Sequence, residues 1–192
     1  MSAAAPKEKK LIRAPSNLIL KLNEAANRQG KTFYSYVTEI LEQAVRACEM
    51  KNTLKEIIDL YEVLEVHKKA GTVFTPKHII EYLTKKAYQE NGETLQQVWY
   101  QNGRWYGAYL KERFDDPIEA LVRLLKEGRL DLNEVSLERN PEMLELKCIS
   151  VFLSQERTVL TREFVEGAMH SLGCKIREQE CFKGIIRLRF LL

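Results

Sequence analysis

The placement of helix breakers constrains this chain more than its composition does. Between Pro15 and Gly71 the only glycine or proline is Gly30. A proline biases its predecessor toward extended backbone and is itself tolerated at a helix start. The spacing therefore predicts a short extended stretch, Lys9–Ala14, ended by Pro15, and a helix opening at Pro15 or Ser16. In that helix Leu18, Leu22, Ala25 and Ala26 recur at helical spacing, with Ile19 flanking them. Gly30 ends it, since glycine accepts the left-handed backbone of a helix terminus. Thr32 is the expected N-cap of a second helix, whose apolar positions are Phe33, Tyr36, Val37, Ile40, Leu41, Ala44, Val45 and Cys48. That helix either runs on or breaks near Lys51–Thr53 into Leu54, Ile57, Ile58, Tyr61 and Leu64, an amphipathic connector suited to pairing with its own copy.

After Gly71, Thr75-Pro76 reads as an N-cap and first helical residue, opening a helix through Ile79, Ile80, Leu83 and Ala87. A helix over Glu93–Phe114 follows, dense in aromatics and with Gly103 and Gly107 four apart, and then one from Asp116-Pro117 to Gly128. From Asn133 the period changes to two. Val135 and Leu137, then Leu144, Leu146 and Cys148, alternate with polar residues around an Asn140-Pro141-Glu142 turn. Thr161–Leu172 returns to helix and stops at Gly173, and Lys175–Cys181 and Ile185–Leu191 form a last strand pair around Lys183-Gly184. Helices followed by β-β-α-β-β define an α+β class. The expected plan is a flexible arm (1–8), a first domain (9–50), a helical connector (51–71) and an α+β domain with an antiparallel sheet (72–192).

Charge is informative once it is divided. Residues 1–50 hold eight Lys or Arg against five Asp or Glu, while residues 51–192 hold twenty-two of each. A basic end on a neutral body suits an anionic partner, and a solvated basic tail has the same composition. No segment offers the eighteen apolar residues of a membrane span, and no apolar run follows the Lys-rich start as a secretory signal would require. The four cysteines show no CxxC spacing, which fits reduced thiols. The expectation is a soluble, cytoplasmic protein.

Fewer than fifty residues in the order strand, helix, glycine turn, helix bury too little to be stable alone, so this segment should need a second copy. Ile12-Arg13-Ala14-Pro15, the helix through Leu22, Gly30-Lys31-Thr32 and the helix through Val37, Ile40, Leu41 and Val45 resemble the Arc/MetJ/CopG ribbon-helix-helix family. The resemblance covers roughly residues 8–48. It implies an intertwined homodimer in which one strand from each subunit forms a ribbon in the major groove of double-stranded DNA. Carried onto this chain, Lys9, Leu11 and Arg13 form the base-reading face, and Lys31, Thr32, Phe33 and Tyr34 meet a backbone phosphate at the start of the second helix. A helix amino terminus is suited to that role because its N–H groups and dipole attract anions. Lys10 then falls on the buried face and Leu11 on the reading face, where a leucine can touch a thymine methyl. A one-residue shift of register would exchange Lys10 and Ile12 with their neighbours. An extended leader before an ordinary helical hairpin is the other reading of the same residues.

In the carboxy-terminal part, Tyr100-Gln101-Asn102-Gly103-Arg104-Trp105-Tyr106-Gly107, Phe164-Val165-Glu166-Gly167-Ala168-Met169 and Glu180-Cys181 are similar to the 4-vinyl reductase domain. This resemblance implies an α+β fold and binding of small, often hydrophobic molecules. Trp99, Arg104, Trp105 and Tyr109 are the candidate ligand pocket, with Arg104 as an orienting charge, and core packing accounts for the aromatics equally well. Cys148, His170, Cys174 and Cys181 are the only soft or imidazole ligands that could hold a metal; their spacing does not make them converge, and they are read as structural, so no metal and no cofactor is expected. His67 and His78 are read as solvated. No catalytic motif is present: there is no GxSxG, phosphate loop, dinucleotide fingerprint or HExxH. The function expected is a DNA-binding transcriptional regulator, not an enzyme, with a homodimer partner, no membrane partner and a small-molecule effector or assembly role for the distal domain. An antitoxin-type DNA binder that covers a partner protein and an architectural DNA binder are the alternatives.

Overall fold

The structure is a computed structural model that describes residues 11–128, 130–141 and 143–191. The chain forms two compact units, Met1–Ile57 and Ile58–Leu192. The expected arm and Lys9 lie outside the described residues.

The first unit holds α1 (Ser16–Arg28) and α2 (Phe33–Glu49). Both ends of the intervening turn follow from sequence. Gly30 takes φ +65°, and the Thr32 hydroxyl accepts the Ser35 amide at 3.2 Å to cap α2. The helical pattern does break after α2, because Lys51 adopts φ +60° and Thr53 and Glu56 cap a new helix, α3 (Leu54–Lys69). The Thr53 amide donates to the Glu56 carboxylate at 2.6 Å and the Glu56 amide to the Thr53 hydroxyl at 3.2 Å, a reciprocal capping box. The boundary between the units falls inside α3. Residues 11–15 carry no strand. A lone extended segment has no ladder partner within one chain, and the expected partner is the same segment of a second chain.

In the second unit, α4 (Lys77–Arg113) begins one residue later than its sequence suggests, with Pro76 rather than Thr75 at the cap position. The two helices expected here form one element bent at Asn91 (φ −158°, ψ 81°), whose side-chain oxygen accepts the Thr94 amide at 3.1 Å and so restarts the helix. α5 (Pro117–Glu127) opens as expected, Asp116 capping it through the Glu119 amide. β1 (Glu134–Asn140), β2 (Met143–Ile149), α6 (Gln155–Ser171), β3 (Lys175–Phe182) and β4 (Ile185–Leu191) complete the unit. α6 starts six residues before the expected Thr161, because Ser154 caps it through the Arg157 amide and Arg157, Thr158 and Leu160 are buried. The strands form one antiparallel sheet in the order β1-β2-β4-β3, so the fold is α+β.

Strict alternation decides the sheet's two faces. Leu144, Leu146 and Cys148 of β2 lie beside Phe190, Leu188 and Ile186 of β4, all at most 1% exposed. With α5 and α6 they form one core that includes Leu121, Leu124, Leu125, Phe164, Val165 and Met169. Burying each such side chain contributes about 1.5–3 kcal/mol. α4 lies against α6 at backbone contact. A Cβ on Gly103 would stand 2.0 Å from the Phe164 carbonyl oxygen, one on Gly107 2.2 Å from that of Ala168, and one on Gly167 2.1 Å from that of Tyr100. The four-residue spacing of Gly103 and Gly107 thus marks a helix crossing.

Candidate nucleic-acid interface

Each unit presents a candidate site, and the first follows from the ends of α1 and α2. Leu11 is 90% exposed, and Arg13 is exposed two residues further on, before the helix. At the start of α2, Phe33 and Tyr34 are exposed, while Lys31 is half-buried in an ion pair with Glu39. The Ser35 amide is engaged by the Thr32 cap. A first helical turn offers amides without intrahelical acceptors, so the Phe33 end of α2 is chemically suited to an anion. The Glu24–Arg28 pair at 3.7 Å is a solvated surface pair.

The second unit distributes its aromatic group between two roles. Tyr106 is core: it is 3% exposed and packs edge-to-face on Phe164 with ring centroids 5.1 Å apart. Its hydroxyl lies 2.8 Å from both His67 Nδ1 and Thr72 Oγ1, which corrects the reading of His67 as solvated. Burial lowers the pKa of His67 and raises that of Tyr106. His67 Nε2 is buried with no hydrogen-bond partner among the described residues, consistent with a neutral ring whose Nδ1 is fixed by the phenol.

Trp99 packs against the core, Trp105 is 41% exposed and stacks on Tyr109 (centroids 5.3 Å apart, 7° between planes), and Arg104 is exposed. Of the four residues of the expected pocket, Tyr109 alone lines the adjoining recess of about 650 Å³, with Tyr61, Glu65, Val66, Lys69, Arg113 and Phe114 among its other walls. The α3 side of that recess carried no signal in sequence, because its residues, Tyr61 to Lys69, come from a different helix 40 to 48 positions upstream of Tyr109.

His170 Nδ1 stands 2.8 Å from the Tyr100 hydroxyl. Burial pushes the Cys148 thiol up to about 12 and raises Cys174 and Cys181 as well, which keeps them protonated. Among the described residues no group of three or more His, Cys, Asp or Glu is gathered to hold a metal ion. No helix among them is long and apolar enough to cross a membrane.

The solvent face of the sheet is charged but self-neutralising. Glu145 is only 8% exposed and receives Lys147 at 2.7 Å and Arg189 at 2.5 Å, while Arg189 also reaches Glu178 at 2.6 Å. Hydrogen bonds from Lys147 and Arg189 lower the Glu145 carboxyl to about 2. On this face Lys147, Arg187 and Arg189 are each engaged by a carboxylate.

No family model, curated protein or solved structure matches the chain.

Proposed function

We propose that the protein is a homodimeric, sequence-specific DNA-binding regulator whose two amino-terminal segments pair as a β-ribbon in the major groove. The observation that carries this reading is that, among the described residues, α1 and α2 enclose no self-sufficient core. Leu18, Ile19, Leu20, Phe33, Leu41 and Val45 are each 38–65% exposed, and Ala26 and Ala47 are the buried residues of these two helices. Six large apolar side chains about half in water, each with roughly half of the about 1.5–3 kcal/mol of full burial still to gain, call for a partner surface. A second copy supplies the same surface by twofold symmetry and brings the two extended segments before Pro15 together. Lys9, Leu11 and Arg13 then read bases, and the start of α2, from Lys31 to Tyr34, holds a phosphate. In the same reading the Ile58–Leu192 unit tunes binding, with the recess beside Tyr109 as the place for a small effector; its volume falls within the range of small-molecule sites, about 300–1,000 Å³.

The test is selection of genomic fragments by the purified chain near physiological salt, repeated with Arg13→Ala. The expected result is a palindromic motif whose affinity falls by about 1–3 kcal/mol, with relaxed preference at one base position. Unchanged affinity and preference in Arg13→Ala would remove that residue from the reading face. Binding without a motif, with a steep salt dependence, would point to an architectural role.

A further inference from the structure

α3 has two apolar faces, and the Ile58–Leu192 unit uses one of them. Val63 and Val66 are 5% and 3% exposed, and Asp59 and Glu62 of the same side meet Arg123 at 3.5 and 3.0 Å. On the opposite side Leu54, Ile57, Tyr61 and Leu64 follow the alternating three- and four-residue spacing of a coiled-coil seam, with Ile58 flanking it. Leu54, Ile58, Tyr61 and Leu64 are 38%, 52%, 63% and 37% exposed, and Ile57 is half-buried. The next seam positions are Lys68 and Gly71, so the seam covers two heptads.

That length decides what can cover it. Coiled coils recognisable on their own sustain at least about three to four heptads, so two heptads hold a free partner poorly. A tethered partner is different, since a short link raises its effective concentration to the millimolar range. Four residues separate the end of α2 from the start of α3, and they form a tight turn: the Met50 amide donates to the Arg46 carbonyl, that of Lys51 to Cys48 and that of Asn52 to Ala47. Any dimer built on α1 and α2 therefore delivers two α3 helices from one assembly, with their starts held near it. An antiparallel pair would need those starts about 24 Å apart, the length of a sixteen-residue helix.

We infer that α3 pairs with α3 of a second copy as a short parallel, in-register coiled coil through Leu54, Ile57, Tyr61 and Leu64. The inference rests on the dimer proposed above. It makes α3 an interface helix whose other face packs into the Ile58–Leu192 unit through Val63 and Val66, with Tyr61 shared between the seam and the wall of the recess beside Tyr109.

The experiment is disulfide trapping in the full chain, in a Cys48→Ser background because Cys48 is exposed. Ile57→Cys and Leu64→Cys occupy the same seam position one heptad apart, and a parallel pair brings each beside its own copy. Lys55→Cys lies off the seam as the control. Under mild oxidation, crosslinked dimer should form in most chains at 57 and at 64, and an order of magnitude more slowly at 55. Sedimentation of the reduced proteins separates the failures. A reduced dimer that crosslinks no faster at 57 and 64 than at 55 overturns the α3 pair alone. A chain that sediments as a monomer overturns both the α3 pair and the dimeric reading.

Discussion

Replacing Gly103 by alanine adds one methyl group to the α4–α6 crossing, and the structure sets what that methyl meets. It would lie 2.0 Å from the Phe164 carbonyl oxygen, where ordinary contact begins at about 3.4 Å, so the helices must separate locally by roughly 1.4 Å. The obstacle is backbone and cannot rotate aside. Overpacking a close-packed interior costs about 1–3 kcal/mol, and a backbone clash belongs at the upper end. Against this, alanine is favoured over glycine in a helix interior by about 1 kcal/mol. The net expectation is a loss of about 2 kcal/mol, or a fall in Tm of about 4–8 °C for a chain of this size. Differential scanning calorimetry of the full chain measures it, with Gly92→Ala as control. There the added methyl meets only the Tyr88 side chain, at 3.3 Å, and propensity should leave stability unchanged or slightly raised. A Gly103→Ala protein as stable as the parent would refute backbone contact between α4 and α6.

Two further expectations concern polar groups. Tyr106→Phe removes the hydroxyl shared by His67 and Thr72 and should cost about 1–2 kcal/mol in a urea titration at unchanged slope; no loss would mean that the hydroxyl's partners are satisfied elsewhere. Glu145 has a carboxyl pKa depressed in the folded state from 4.5 to about 2. Its contribution is therefore fully present above pH 4.5 and is lost as pH falls through about 2. Discounting for cations that are about a third exposed leaves about 1–2 kcal/mol. Glu145→Gln should lower stability by that amount at pH 7 and flatten the decline between pH 4.5 and 2, and an unaltered acid profile would contradict the assignment.

Sequence by itself determined the elements whose causes are local. Pro15, Gly30, Asp116-Pro117, Gly173 and Lys183-Gly184 set boundaries through backbone preferences that need no distant partner, and alternation over Val135–Cys148 marked the first strand pair. Errors arose where a cap or a contact supplied the decisive energy. Ser154 starts α6 ahead of the expected Thr161, and Asn91, off helical geometry, bends α4 and accepts the Thr94 amide. Tertiary structure alone decided that Gly103, Gly107 and Gly167 interlock, that Tyr106 is core while Trp105 is surface, and that His67 reaches a phenol thirty-nine residues away. Those facts depend on which segments meet, and a helical period of 3.6 gives each residue a face without naming what the face touches. The segment before Pro15 carries the same lesson one level higher, because an extended strand acquires structure only from its neighbour, and the neighbour proposed here belongs to another chain.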